Sequence, residues 1–189
     1  MKNFNILKHR QSNRLNEYDY ANPNWYYVTI CTKDKNCVFG KVRNGKLVLN
    51  KFGILAKDEW IRTKEIRPNI DLDYYIIMPN HIHGIIIIES RGVMHFAPTN
   101  EFKSPSQTLG SIIRGFKSIV TKRINRMKST HGNPIWQRNY YDHIIRNERD
   151  LYRIRKYIQL NPLKWEIDEH FSKILFFICF KQKKLGSLK

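Results

Sequence analysis

The chain is short of cysteine, of acidic residues and of long apolar runs. Its 189 residues include three cysteines, Cys31, Cys37 and Cys179, odd in number and not in a zinc spacing. This argues against a disulfide framework or a thiolate metal site and fits reduced thiols in a cytosolic protein. Met1 to Arg10 mixes Lys, Asn and His without an apolar core, so no signal peptide is expected. The apolar run Ile174 to Phe180 is too short to span a bilayer. No internal repeat or low-complexity segment is present. The scarcity of acid is the most informative of these absences. Sixteen Asp and Glu stand against 34 Lys and Arg, a formal net charge of +18. Such a field draws polyanions and speeds their association. A membrane binder would concentrate its charge on one amphipathic helix. Here the basic residues are spread along the chain and interleaved with aromatics, which suits phosphate contacts and base stacking. The bland alternative is a ribosome-associated or merely soluble basic protein.

Local pattern then divides the chain. Residues 1 to 22 are polar and basic and read as an arm. Trp25 to Thr32 is rich in β-formers and predicts a strand. Val38 to Leu49 holds Asn44-Gly45, a hairpin turn signal between two short strands. Asn50 is placed to cap a helix reaching Ile66, with Ile54, Leu55, Trp60 and Ile61 at helical spacing. Leu72 to Met78 and His81 to Glu89 read as strands on either side of a Pro79-Asn80 turn, and their isoleucine content predicts burial on both faces. Arg91 to Pro105 is a loop. Ser106 to Met127 is an amphipathic helix carrying Leu109, Ile112, Ile113, Phe116, Val120, Ile124 and Met127 on one face, and Arg114, Lys117, Lys122 and Arg126 on the other. Tyr140 to Arg146 reads as a strand; Asn147 caps a last helix, with Asp150 in the place of a capping acid and Pro162 as its stop. The order predicts a ferredoxin-like (RRM-like) α+β sandwich, an antiparallel sheet of four to five strands backed by helices, with a further C-terminal helix. One domain over residues 23–168 is expected, followed by a tail at 169–189 of uncertain structure.

The chemistry concentrates at two places. His81 and His83 flank one apolar residue on a predicted strand, where i and i+2 share a face, and paired imidazoles form half of a metal site. In the last helix Tyr157 and Asn161 are four apart and project together, with Arg153 one turn earlier. If that helix packs beside the histidine strand, the Asn161 amide oxygen becomes a third ligand. Two imidazoles and one oxygen suit Mg²⁺ or Mn²⁺; zinc is possible, but no thiolate favours it. A nearby cation would favour the Tyr157 phenolate and polarise a phosphate. The bland readings are two polar histidines on a solvent-facing strand, a tyrosine packing on a sheet, and an asparagine that only ends a helix. Tyr140 and Tyr141, beside His143, compete with Tyr157.

His81-Ile82-His83 resembles the HUH motif. Residues 136–143 (WQRNYYDH) with 157–164 (YIQLNPLK) resemble the C-terminal signature of REP-associated tyrosine transposases, which group with the single-tyrosine HUH transposases of small insertion sequences. The resemblance runs from about Trp25 to Trp165. It implies an HUH nuclease fold that cleaves and rejoins single-stranded DNA near hairpins through a 5′-phosphotyrosine, with a divalent metal. On that pattern Tyr157 is the nucleophile, and His81, His83 and Asn161 hold Mg²⁺ or Mn²⁺. The insertion-sequence branch more often has Gln at the Asn161 position, so the Asn favours the REP-associated branch. The resemblance also implies a cytoplasmic, nucleoid-associated monomer or homodimer. Arg114, Lys117, Arg138 and Arg153 are candidate DNA contacts. The rivals are a ferredoxin-like nucleic-acid-binding module without catalysis, and a metal-dependent phosphodiesterase using water, which would not need Tyr157.

Overall fold

The computed structural model describes residues 18–89 and 108–165. The N-terminal part of the arm, the Arg91–Pro105 loop and the tail, with its Ile174–Phe180 run, lie outside the described residues. Four strands, β1 (Asn24–Cys31), β4 (Ile70–Ile77), β5 (His81–Ile88) and β6 (Tyr141–Ile145), form one sheet in the order β4-β5-β1-β6. Every neighbouring pair is antiparallel. With α1 (Lys51–Glu65) between β1 and β4, and α2 (Leu109–Met127) between β5 and β6, this is the expected ferredoxin-like α+β arrangement. A separate hairpin, β2 (Gly40–Arg43) and β3 (Lys46–Leu49), turns at Asn44 and Gly45. Both turn residues have positive φ, 52° and 68°, as a two-residue hairpin loop of this type requires.

The sheet is covered on both faces, which is why its strands are so apolar. Alternate residues of β1, namely Tyr26, Val28 and Ile30, join Ile82 and Ile86 of β5 against α1 and α2. The opposite set, Tyr27 with Ile85 and Ile145, packs against α3 (Glu148–Trp165) through Leu151, Ile154 and Ile158. That spacing of three and four residues makes the apolar stripe of α3. Tyr20 is buried in the larger core and its carbonyl accepts from Leu109 N, so the end of the segment read as an arm is packed.

Several elements differ in detail from the reading above. Asn50 caps α1 as expected, its Oδ1 accepting from the amides of Phe52 and Gly53. The buried face of α1, however, carries Leu55, Ala56, Glu59, Trp60 and Thr63, while Ile54 and Ile61 are exposed. The helix is rotated so that Glu59 reaches Arg123 of α2 and the Trp60 indole meets the sheet. Met127, expected on the apolar stripe of α2, is exposed at the end of that helix. Pro162 does not stop α3, which continues to Trp165. The α conformation is disfavoured before proline, not forbidden. Here Asn161 is buried and Trp165 stacks on His81, so tertiary contacts hold the last turn against the sheet. Asp150 lies one turn after Asn147, whose Oδ1 accepts from Asp150 N, but its carboxylate turns to His143 and Arg153. The partners of that carboxylate are on another strand and farther along the helix, out of reach of a purely local capping pattern.

Candidate functional site

β5 begins at His81, immediately after the Met78–His81 turn. Thr32 fixes that turn from the end of β1: its amide and hydroxyl both donate to Asn80 O. Strand alternation places His81 and His83 on the face covered by α3, with ring centroids 4.4 Å apart. Tyr157 and Asn161 come down on the same pair from α3. The Tyr157 hydroxyl lies 3.5 Å from His83 Nε2, the long limit of a hydrogen bond, with ring centroids 5.2 Å apart. Asn161 is 5% exposed and lies beside the His81 imidazole, where its side chain favours the protonated ring. All four groups belong to one chain, so a second copy is not required to bring the tyrosine to the histidines.

Neighbours from β1 and the turn orient both rings. His83 Nδ1 is 2.7 Å from the Tyr27 hydroxyl and 2.9 Å from Thr29 Oγ1. His81 Nδ1 is 2.7 Å from Asn80 Oδ1. If each ring donates from Nδ1, both Nε2 atoms keep a lone pair facing the space between the strand and α3. Burial lowers the pKa of His81 to about 4, against the smaller opposing effect of Asn161, and burial beside His81 holds His83 well below its ordinary value. Both imidazoles are therefore neutral at pH 7, the form that binds a metal. His81 Nε2 is buried with no hydrogen-bond partner among the described residues. An orphaned buried acceptor beside a buried amide is what a site for a cation needs. Among the described residues there is no cluster of three or more His, Cys, Asp or Glu that could hold a metal ion. The described groups that could serve as donors here are His81, His83 and the Asn161 side chain, a set compatible with Mg²⁺ or Mn²⁺.

These shifts carry a sign. Each histidine binds protons more weakly folded than unfolded, so in metal-free protein stability is complete above about pH 6.5 and is lost as pH falls toward 4. His81 alone is expected to lower the unfolding free energy by about 2 kcal/mol between pH 7 and pH 5, with His83 adding in the same direction. Urea unfolding in EDTA checks this: His81→Gln should flatten the slope, and an unchanged slope would show that the ring is not buried neutral.

The other sequence candidates lie elsewhere. Tyr140 packs on the larger core, across the sheet, while Tyr141 packs beside Tyr27. His143 pairs with Asp150 at 2.7 Å and so ties β6 to the first turn of α3. Trp136 is buried between Phe39 and Phe116. Arg114 and Lys117 sit on α2, in the layer across the sheet from the histidines. The Lys117 ammonium donates to the backbone carbonyls of Gln137, Arg138 and Asn139, which makes it a brace for that loop. Arg138 is exposed on the same loop, and Arg153 is exposed but bonded to Asp150. Tyr27, Thr29 and Trp165 join the site as well. The alternation of β1 carries a signal for the first two, because Tyr27 and Thr29 alternate with the core residues Tyr26, Val28 and Ile30. Trp165, stacked on His81 at 5.9 Å, follows a proline read as a helix stop and left no such signal.

No family model matches the chain. A protein of Haemophilus influenzae (strain ATCC 51907 / DSM 11121 / KW20 / Rd), described as uncharacterized, is 42% identical over 170 residues, which is 86% of this chain and 93% of that protein. The chain belongs to the family of that protein. Among solved structures, a REP-associated tyrosine transposase bound to a REP hairpin superposes with a TM-score of 0.52 at 18% identity, over 80% of this chain and 73% of that one. At that identity the likeness establishes the fold: this family member shares the mixed α+β architecture of a transposase. No helix among the described residues is long and apolar enough to cross a membrane.

Proposed function

We propose that the chain is a single-stranded DNA endonuclease and strand transferase that works through a covalent phosphotyrosine. One observation carries the reading. Within one chain, Tyr157 faces the neutral His81–His83 pair, with Asn161 buried beside it. The fold likeness to a transposase held on a hairpin supports the same class of substrate. The net charge of +18 supplies affinity for the phosphate backbone.

In this reading the Tyr157 oxygen attacks the phosphorus of one phosphodiester. An O–P bond to tyrosine forms and the bond from phosphorus to the 3′ oxygen breaks. The phenol gives up its proton and the departing 3′ oxygen takes one up. The protein then holds the 5′ phosphate of the downstream strand, and attack by a 3′ hydroxyl reverses the step and joins strands. His81, His83 and Asn161 would hold Mg²⁺ or Mn²⁺. When bound, such an ion supplies positive charge that polarises the scissile phosphate and favours the phenolate. Tyr27, Thr29 and Asn80 keep the two imidazoles oriented, and the face of α3 excludes bulk water. A ferredoxin-like binding module would stack bases on an open sheet face. Here α3 covers that face, which favours the catalytic reading.

The direct test is incubation with a labelled, hairpin-bearing single strand and Mn²⁺, followed by a denaturing gel. A DNA-linked protein band, with a free 3′ hydroxyl on the other fragment, is the expected product. Free fragments without a protein link would instead indicate hydrolysis by water. His81→Ala, or EDTA with the wild-type chain, is expected to abolish that band while leaving DNA affinity within about threefold, because Lys and Arg supply the affinity. Simultaneous loss of binding and cleavage in a folded His81→Ala variant would assign His81 a structural role.

A further inference from the structure

A second feature lies on the outer side of α3, away from the histidines. In β4 the pairing with β5 shifts between Leu72, opposite Ile86, and Tyr75, opposite Gly84. Asp73 and Tyr74 therefore stand together against Ile85, as a β-bulge that re-aims both side chains. Arg155 of α3 meets both: its Nε bonds Asp73 Oδ2 at 2.7 Å, and its guanidinium lies 5.2 Å from the Tyr74 ring centre. This braces Tyr74 in an open groove of about 370 Å³ that is also lined by Tyr152, Arg155, Lys156, Gln159 and Leu160 of α3. Tyr74 is 40% exposed and Tyr152 is 65% exposed, and they are the exposed aromatic residues among those described. Both line this one groove. Lys156 is the residue before Tyr157 and is itself exposed.

Two exposed rings in one groove form a patch on which a partner can bury apolar area. In a chain with 34 basic and 16 acidic residues, the fitting cover is a planar group attached to an anion. Aromatic faces beside a free ammonium are the parts from which single-strand sites are made, base on ring and phosphate on cation. The groove volume is ample for one nucleobase and far short of a duplex. We propose that this groove takes one unpaired nucleobase of a DNA single strand, stacked on Tyr152 in the groove that Tyr74 also lines, and its flanking phosphate on Lys156. Resting on the strand-transfer reading, this assigns one nucleotide contact of the bound strand to the β4–α3 edge. A bulge in β4 then has a use: it holds Tyr74 out of the sheet where a base can reach it.

The test is fluorescence anisotropy of the full chain with a short labelled single strand, and with the same strand carrying abasic sites. Tyr152→Ala is expected to weaken binding of the normal strand about tenfold, with Tyr152→Phe close to wild type and Tyr152→Leu close to Ala. The abasic strand should bind Tyr152→Ala and wild type alike. Lys156→Gln should reduce the steepness of log affinity against log salt by about 0.7 for either strand. Tyr152→Ala binding like wild type, or losing the abasic strand equally, overturns the proposal. Covalent adduct formation by the wild-type chain is scored in parallel. An adduct with no Tyr152 effect sinks the groove and keeps the transferase; a Tyr152 effect with no adduct keeps the groove and sinks the transferase.

Discussion

Tyr157→Phe is expected to eliminate the covalent protein–DNA band and strand cleavage together, a loss of at least about a thousandfold, as when other covalent enzymes lose their nucleophile. The change removes one oxygen and keeps the ring. That ring packs edge-on against His83 at 5.2 Å and against Tyr27 at 6.5 Å, so the variant should fold and still bind the single strand. The measurements are a denaturing gel for the adduct and anisotropy for affinity. Persistence of cleavage without an adduct would mean that water, not the phenol, attacks, and the site would then be a metal-dependent phosphodiesterase. An adduct that persists in Tyr157→Phe would move the nucleophile elsewhere, and Tyr141, which packs beside Tyr27 on the same face, would be the next variant to make.

Gly84→Ala is the second large effect expected, and it acts from the opposite face of the sheet. Gly84 follows His83 and pairs with Val28 on one side and Tyr75 on the other. A Cβ at Gly84 would run into the ring of Trp60, well inside contact distance of Cζ2 and tight against Cη2. Trp60 is 1% exposed and is hemmed in by Phe116 and Tyr75, so the indole has nowhere to retreat. Overpacking of this kind costs about 1–3 kcal/mol and moves backbone. In a chain of 189 residues, that is a fall in Tm of about 3–10 °C. The displaced strand carries His83, so adduct formation should fall further than stability alone would explain. Thermal melts, together with adduct yields taken well below the melting point, separate the two effects. A variant with wild-type Tm would show that α1 can yield around the new methyl group.

Much of the architecture was legible because it is written in local pattern. The Asn44-Gly45 turn, the Asn50 cap and the 109–124 apolar stripe each depend on neighbours within a few residues, and each stands where the spacing put it. The face of α1 was less legible. Ile54 and Leu55 are adjacent and equally apolar, so periodicity could not choose between them; the reach of Glu59 to Arg123 and the close approach of Trp60 to Gly84 decided it. The persistence of α3 beyond Pro162 was illegible for the same reason. Its last turn is held by Asn161 against the His81 side of the sheet and by Trp165 on the His81 ring, contacts across 80 or more positions of sequence.

By itself the sequence determined the order of elements, the basic character, and the residue types from which a metal-and-tyrosine site could be made. Strand alternation put His81 and His83 on one face, and helical spacing put Tyr157 and Asn161 on another, because both periods are properties of the backbone alone. Whether those two faces meet is a long-range question, and only the tertiary structure decided it. Leu151, Ile154 and Ile158 bury themselves on Tyr27, Ile85 and Ile145, and that burial lays α3 across the histidine strand. Burial also sets the chemistry, since it is the desolvation of both imidazoles under α3 that keeps them neutral, with His81 Nε2 unpartnered among the described residues.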